Sequence, residues 1–133
     1  MATVNRFEDL DIWKLSREIC KEIHTIISRK PFSNDFNLIN QIKRSSGSIM
    51  DNIAEGFERD GKQEFIQFLS YSKGSAGETR SQFFRALDSN YISTQEFELL
   101  QSKILTLSVK ISNMIQYLKK SEHKGVKYKS ETT

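Results

Sequence analysis

One cysteine, one proline and two histidines in 133 residues remove several kinds of protein at once. With Cys20 alone, no disulfide forms within the chain and no cysteine zinc cluster assembles from it, which fits a reducing cytosol best. Neither histidine completes a metal site. No glutamate is followed by a histidine three residues later, the pairing di-metal bundles rely on; His24 flanks an apolar stripe and His123 sits in a polar tail. No cofactor is expected. No apolar run reaches the roughly 18 to 20 residues of a membrane span, and the opening MATVNRFEDLDIW lacks the cationic then apolar layout of a signal peptide. The expectation is a cytoplasmic protein with no membrane partner. Charge of one sign is scarce too: 20 Lys and Arg against 17 Asp and Glu leave a net charge of +3, which permits a nucleic-acid partner without requiring one.

What the chain does have is helical periodicity. At 133 residues and 37% hydrophobic content it suits one domain with its own core. Turn signals fall at RKPFSND, ERDGK and DSNYIST and cut it into four segments. The first helix is expected from Leu10 to Arg29, with Ile12, Leu15, Ile19, Ile23 and Ile26 on one face. The second runs from Asp35 to Phe57 (Ile39, Ile42, Ser46, Ile49, Met50, Ile53, Phe57), with Ser33 or Asn34 as its cap. The third spans Lys62 to Asp88 (Phe65, Phe68, Leu69, Ser72, Ala76, Thr79, Phe83, Leu87). The fourth spans Thr94 to Lys120 (Phe97, Leu100, Ile104, Leu107, Ile111, Met114, Leu118), opened by a Ser93/Glu96 capping box. Connections of about four to eight residues make successive helices antiparallel neighbours. The fold class is all-α: an antiparallel up-down-up-down four-helix bundle over residues 1–120, followed by a basic, disordered tail over 121–133.

The stretch RSSGSIMDNIAEG, residues 44–56, places poor helix formers inside the second helix. Ser46 falls on the core stripe, as do Ser72 and Thr79 on the third helix, so short side chains allow the second and third helices to approach closely. Their hydroxyls are satisfied by the carbonyl four residues back or by a partner across the bundle. Gly47 and Gly77 lie off the stripe, where close approach of another backbone would offset their cost of about 1 kcal/mol. Ile66 and Phe84 share the side of Gly77, and Leu105 and Val109 are off-stripe on the fourth helix. Apolar groups outside a sufficient core point to a subunit interface.

RSSGSIMDNIAEGFER, followed by EFIQFLSYSKGSAGETRSQFFRALDSNYIS, resembles the four helix bundle protein family, which includes proteins encoded in intervening sequences of bacterial large-subunit ribosomal RNA genes. The resemblance runs from about Phe7 to Leu118 and is carried by Arg44, Ser48, Ile49, Asn52, Ile53, Ala54, Glu55, Gly56, Gly74, Ser75 and Glu78. It implies a homopentamer around a central channel, no catalytic activity, and an architectural role for the motif residues, with Asn52 and Glu55 tying neighbouring elements or subunits. The chain is also similar to accessory proteins of diversity-generating retroelements, which implies nucleic acid and a nucleic-acid enzyme as partners. Many relatives carry proline where this chain has Asp51, which leaves the straightness of the second helix open.

Other chemistry is weak. GFERDGKQ, residues 56–63, nearly spells a phosphate-binding loop, but Gln63 replaces the Ser or Thr that holds magnesium and the segment joins two helices. It reads as a turn and a helix start. Cys20 sits at the edge of an apolar face, the usual place of a small buried thiol. Glu18 with Glu22, and Asp51 with Glu55, read as solvated faces. Among cations, Lys14, Arg17 and Lys21 form one outward strip on the first helix, and Lys43 and Arg44 add charge on the second. Phosphate-backbone binding to RNA or DNA is therefore the expected function, from a non-enzymatic oligomer; the alternative is a scaffold that binds protein alone.

Overall fold

Four long helices follow the four apolar periodicities: α1 (Asp11–Ile27), α2 (Phe36–Glu58), α3 (Lys62–Asp88) and α4 (Thr94–Lys120). The computed structural model describes residues 3–121 and 128–129. α3 and α4 have the bounds the sequence predicts, and α1 and α2 differ from prediction by one or two residues. α2 runs unbroken through Asp51.

Contacts between helices fix their directions. Along α2 and α3, Gly56 lies against Phe65 and Phe68, Ser72 bonds the Ile49 carbonyl, and Arg85 reaches Gln41, so one helix descends as the other ascends. α3 and α4 pair Arg80 with Gln101 and Phe84 with Phe97. α1 and α4 pair Glu22 with Lys103 and Arg29 with Glu96. Each helix is thus antiparallel to both of its neighbours, the up-down-up-down arrangement.

The ends have identifiable causes. Asp35, and not Ser33 or Asn34, caps α2: its carboxylate accepts from the Leu38 N–H at 3.1 Å and from the Tyr91 hydroxyl at 2.9 Å. A carboxylate satisfies the orphan donors of a first turn better than a serine set back from it. Ser93 and Glu96 form the predicted capping box. α2 turns into α3 through residues 59–61, shorter than the four to eight residues expected; Asp60 takes φ 67°, a left-handed conformation that Asp tolerates.

The core is apolar with a polar seam. Phe32, Phe57, Phe65 and Phe83 are fully buried. Phe32 closes one end, stacked on Tyr91 at 4.9 Å between ring centroids. The expected core stripes hold, with Leu15, Met50, Phe68 and Leu87 only half-buried. Ser16, Ser45, Gln82 and Gln101 are buried beyond expectation, because each finds a partner inside: Ser16 its own Ile12 carbonyl, Gln101 the Arg80 guanidinium and carbonyl.

Two short strands lie outside the bundle: β1 (Thr3–Val4) pairs antiparallel with β2 (Tyr128–Lys129), and Val4 is buried against the core. The disordered tail expected over 121–133 falls, for residues 122–127 and 130–133, outside the described residues.

Candidate nucleic-acid interface

The second and third helices meet through hydroxyls rather than through apolar contact alone. The Thr79 hydroxyl donates to Ser45 Oγ at 2.8 Å, and Ser45 donates to Gln82 Oε1 at 2.6 Å. One turn along, Ser75 donates to Ser48 Oγ at 2.9 Å, and the Asn52 amide donates to the same oxygen at 2.8 Å. Ser72 crosses to the Ile49 carbonyl at 2.7 Å. Of the two options left open for these hydroxyls, Ser46 takes the carbonyl four residues back, at 2.7 Å, while Ser45 and Ser72 bond across the bundle. Ser46 does not serve the α2–α3 contact as expected. Its carbonyl accepts from Cys20 Sγ at 3.2 Å, which puts Ser46 at the α1–α2 contact and leaves Ser45 and Ser48 facing α3.

The glycine that permits close approach is Gly56, which the sequence singled out only as a motif residue. A Cβ there would lie 2.6 Å from Phe68 Cβ and 3.2 Å from Phe65 Cδ1. Gly47 and Gly77 have nothing within 4 Å of such a Cβ, so no backbone of this chain offsets their cost. The signal for Gly56 was its position one turn beyond Asn52 and next to Phe57, on the α3 side of the stripe.

The predicted cations lie on two adjoining helices. Lys14, Arg17 and Lys21 are exposed on α1, and Lys43 and Arg44 on α2. The Cys20–Ser46 hydrogen bond sets Lys43 level with residue 23, about 3 Å along the axis from Lys21 and about 9 Å from Arg17. At about 100° per residue Lys43 falls about 60° from Ser46, beside α1, whereas Arg44 falls about 160° from it and turns away. On α1, Arg17 falls about 60° from Cys20, Lys21 about 100° and Lys14 about 120°, and Lys21 lines the α1–α4 groove with Glu18, Glu22 and Lys103. Arg17 and Lys43 therefore flank the α1–α2 contact, Lys14 and Lys21 lie further round α1, and Arg44 turns away. Arg17 lies over the Trp13 ring, 5.8 Å from its centroid, and Lys21 pairs with Glu18 at 3.7 Å. Among the described residues no carboxylate is ion-paired with Lys14, Lys43 or Arg44.

The predicted interface residues separate into two faces. Phe84, Leu105 and Val109 are exposed at 48%, 44% and 59% along a groove of about 690 Å³ between α3 and α4. Gly77 is exposed on α3, and Ile66 is half-buried against the core of its own chain. Gly47, Asn52 and Glu55 lie on α2. The Asn52 amide is held by Ser48, and Glu55 pairs with Arg59 at 3.2 Å, so both groups are engaged within the chain.

Burial and, next, the negative charge of Asp51 hold the Cys20 thiol above its ordinary pKa, which keeps it protonated at neutral pH. Lys62, next to the glycine-rich turn, donates to the Ser121 carbonyl at 2.7 Å and ties α3 to the end of α4. Among the described residues no cluster of three or more His, Cys, Asp or Glu converges to hold a metal ion, and no helix is long and apolar enough to cross a membrane.

The profile of a family described as 23S rRNA-intervening sequence protein matches residues 8–113. Among solved structures, a protein of unknown function from the S23 ribosomal protein family of Bacteroides thetaiotaomicron superposes with a TM-score of 0.71 at 20% identity, covering 79% of this chain and 98% of that one. At that identity the likeness speaks for the fold. No curated protein matches.

Proposed function

The chain belongs to the 23S rRNA-intervening sequence protein family, and from that premise we propose that it is a non-catalytic, oligomeric module that binds RNA or DNA through backbone phosphates, as an accessory to a nucleic-acid enzyme. The observation that supports the reading is a run of exposed cations, Lys14, Arg17 and Lys21 along α1, with Lys43 exposed on the neighbouring α2. The Lys21–Glu18 pair does not oppose it, because an ion pair this exposed contributes about 0–1 kcal/mol and yields readily to phosphate. Four such contacts per protomer give a salt slope of about −2.8 on single strands. Self-assembly repeats these cations, and repeated weak contacts add through effective concentration. The exposed Phe84, Leu105 and Val109 supply an apolar surface for that assembly.

Charge reversal of Lys14, Arg17 and Lys21 together tests the reading. The triple variant should keep the oligomer seen by light scattering and lose most affinity for a labelled 30-nucleotide RNA at low salt. The same apolar face favours a second reading, a scaffold that contacts protein alone. Unchanged RNA affinity in the triple variant would refute the role of the α1 cations, and a wild-type protein that captures neither RNA nor DNA would leave the scaffold.

A further inference from the structure

We infer that the groove between α3 and α4, on the opposite side of the bundle from the α1–α2 cations, holds a second phosphate track built by Lys73 and Lys119. Its ligand is the phosphodiester backbone of RNA or DNA, so the inference rests on the function proposed above.

The groove measures about 500 Å³ and no acidic residue lines it. Lys73 stands on the α3 wall and Lys119 on the α4 wall, both exposed. Ser112 and Gln116 add a hydroxyl and an amide between them, whereas the Ser70 hydroxyl is already given to the Ile66 carbonyl at 3.1 Å. Gly74 leaves the α3 rim open beside Lys73, since a Cβ there would meet nothing within 4 Å. Among the described residues neither lysine takes part in an ion pair. The nearest acid along α3, Glu78, lies about 140° around the helix from Lys73. Gln116 also lines an adjoining depression that contains Lys120, so the basic surface continues around α4.

A purely structural role accounts for part of this cluster. Lys119 and Lys120 sit in the last turn of α4, where cations offset the helix dipole. Lys73 is mid-helix, far from any terminus, and has no such explanation. Arg80 faces Gln101, so Lys73 is level with residue 108, and the Cα atoms of Lys73 and Lys119 are about 16 Å apart along the axis. Each side chain leans toward the N-terminus of its own helix, and so the two lean toward each other over the groove they both line, where an extended polyanion meets both. The apolar patch of Phe84, Leu105 and Val109 reaches the level of Lys73, and assembly through that patch leaves the Lys119 end of the track uncovered.

The test uses the full-length protein and a labelled 30-nucleotide RNA. Lysine acetylation read by mass spectrometry should show Lys73 and Lys119 protected by RNA at 50 mM salt and released at 500 mM. The variant Lys73→Gln/Lys119→Gln, whose substitutions are exposed and should lower the circular dichroism melt by no more than about 4 °C through the lost dipole contact of Lys119, loses two phosphate contacts. Wild type should then lose about sevenfold more affinity than the variant between 50 and 200 mM salt. Wild-type-like salt dependence in the double variant, with Lys14, Lys21 and Lys43 protected and Lys73 and Lys119 not, overturns the track and leaves the proposed function standing. Absence of RNA and DNA binding by wild type overturns both. Equal binding of polyglutamate at the groove overturns the ligand assignment.

Discussion

Ser45→Ala is a small change with a calculable cost. The Ser45 hydroxyl donates to Gln82 Oε1 at 2.6 Å and accepts from Thr79 at 2.8 Å, and all three residues are at most 4% exposed. Removing the oxygen affects the two neighbours differently. Thr79 can give its proton to the Ser75 carbonyl, already 2.9 Å away in its own helix. The Gln82 oxygen has lost its 2.6 Å donor and, buried between helices, cannot recruit bulk water. An orphaned buried acceptor costs about 1–3 kcal/mol, and for a chain of this length each kcal/mol lowers the melting temperature by roughly 3–4 °C. Gln82→Met removes the acceptor instead, and Ser45 can then return its proton to the Ile42 carbonyl, 3.3 Å away. The double variant Ser45→Ala/Gln82→Met should therefore be more stable than the sum of the single costs, by about 1–2 kcal/mol. Urea unfolding at fixed protomer concentration, with constant m, measures the cycle. A Ser45→Ala cost below about 0.5 kcal/mol, or single effects that add to the double within that margin, would refute the reasoning.

Gly56→Ala should destabilise by about 1–3 kcal/mol through overpacking against Phe68, whereas Gly77→Ala, with free space at its Cβ, should stabilise the protomer by up to about 1 kcal/mol. A Gly77→Ala protein that melts higher yet dissociates by light scattering would place a neighbouring copy on that glycine. Glu96 titrates below its ordinary range, chiefly because Arg29 donates to its carboxylate, with further help from the Ser93 backbone and side chain against the opposing effect of burial. A depressed pKa contributes stability that is complete above the unfolded carboxylate pKa of about 4.3 and is lost as pH falls through the folded value. Glu96→Gln should accordingly flatten the fall of melting temperature below about pH 5, and an acid limb parallel to wild type would contradict the assignment. Phe32→Ala should cost about 3–5 kcal/mol, since its buried ring fills one end of the core.

Periodicity and punctuation made the helices legible. Apolar spacing located α3 and α4 with their bounds, because 27-residue amphipathic segments leave little room for another reading. The cap of α2 was less so: Ser33, Asn34 and Asp35 are adjacent cap formers, and Asp35 is distinguished by its bonds from the Leu38 N–H and the Tyr91 hydroxyl. The polar seam was half visible. Ser72 and Thr79 fall on the stripe, but Ser45, Gln82 and Gln101 are polar residues whose burial depends on which helix supplies the partner, a tertiary fact. Likewise Lys73 and Lys119 are 46 positions apart, and only antiparallel packing of α3 on α4 sets them on one groove. The strand pair of Thr3–Val4 with Tyr128–Lys129 joins the two ends of the chain through two residues each, too short to leave a period-two pattern.

The most direct test of the central claim is the salt dependence of RNA binding by the wild-type protein, followed by fluorescence anisotropy from 25 to 300 mM salt. Phosphate-backbone binding by the α1 and α2 cations predicts a log–log slope of about −2.8, steeper by roughly 0.7 for each further phosphate contact. No binding at 25 mM, or affinity that does not change with salt, would contradict it.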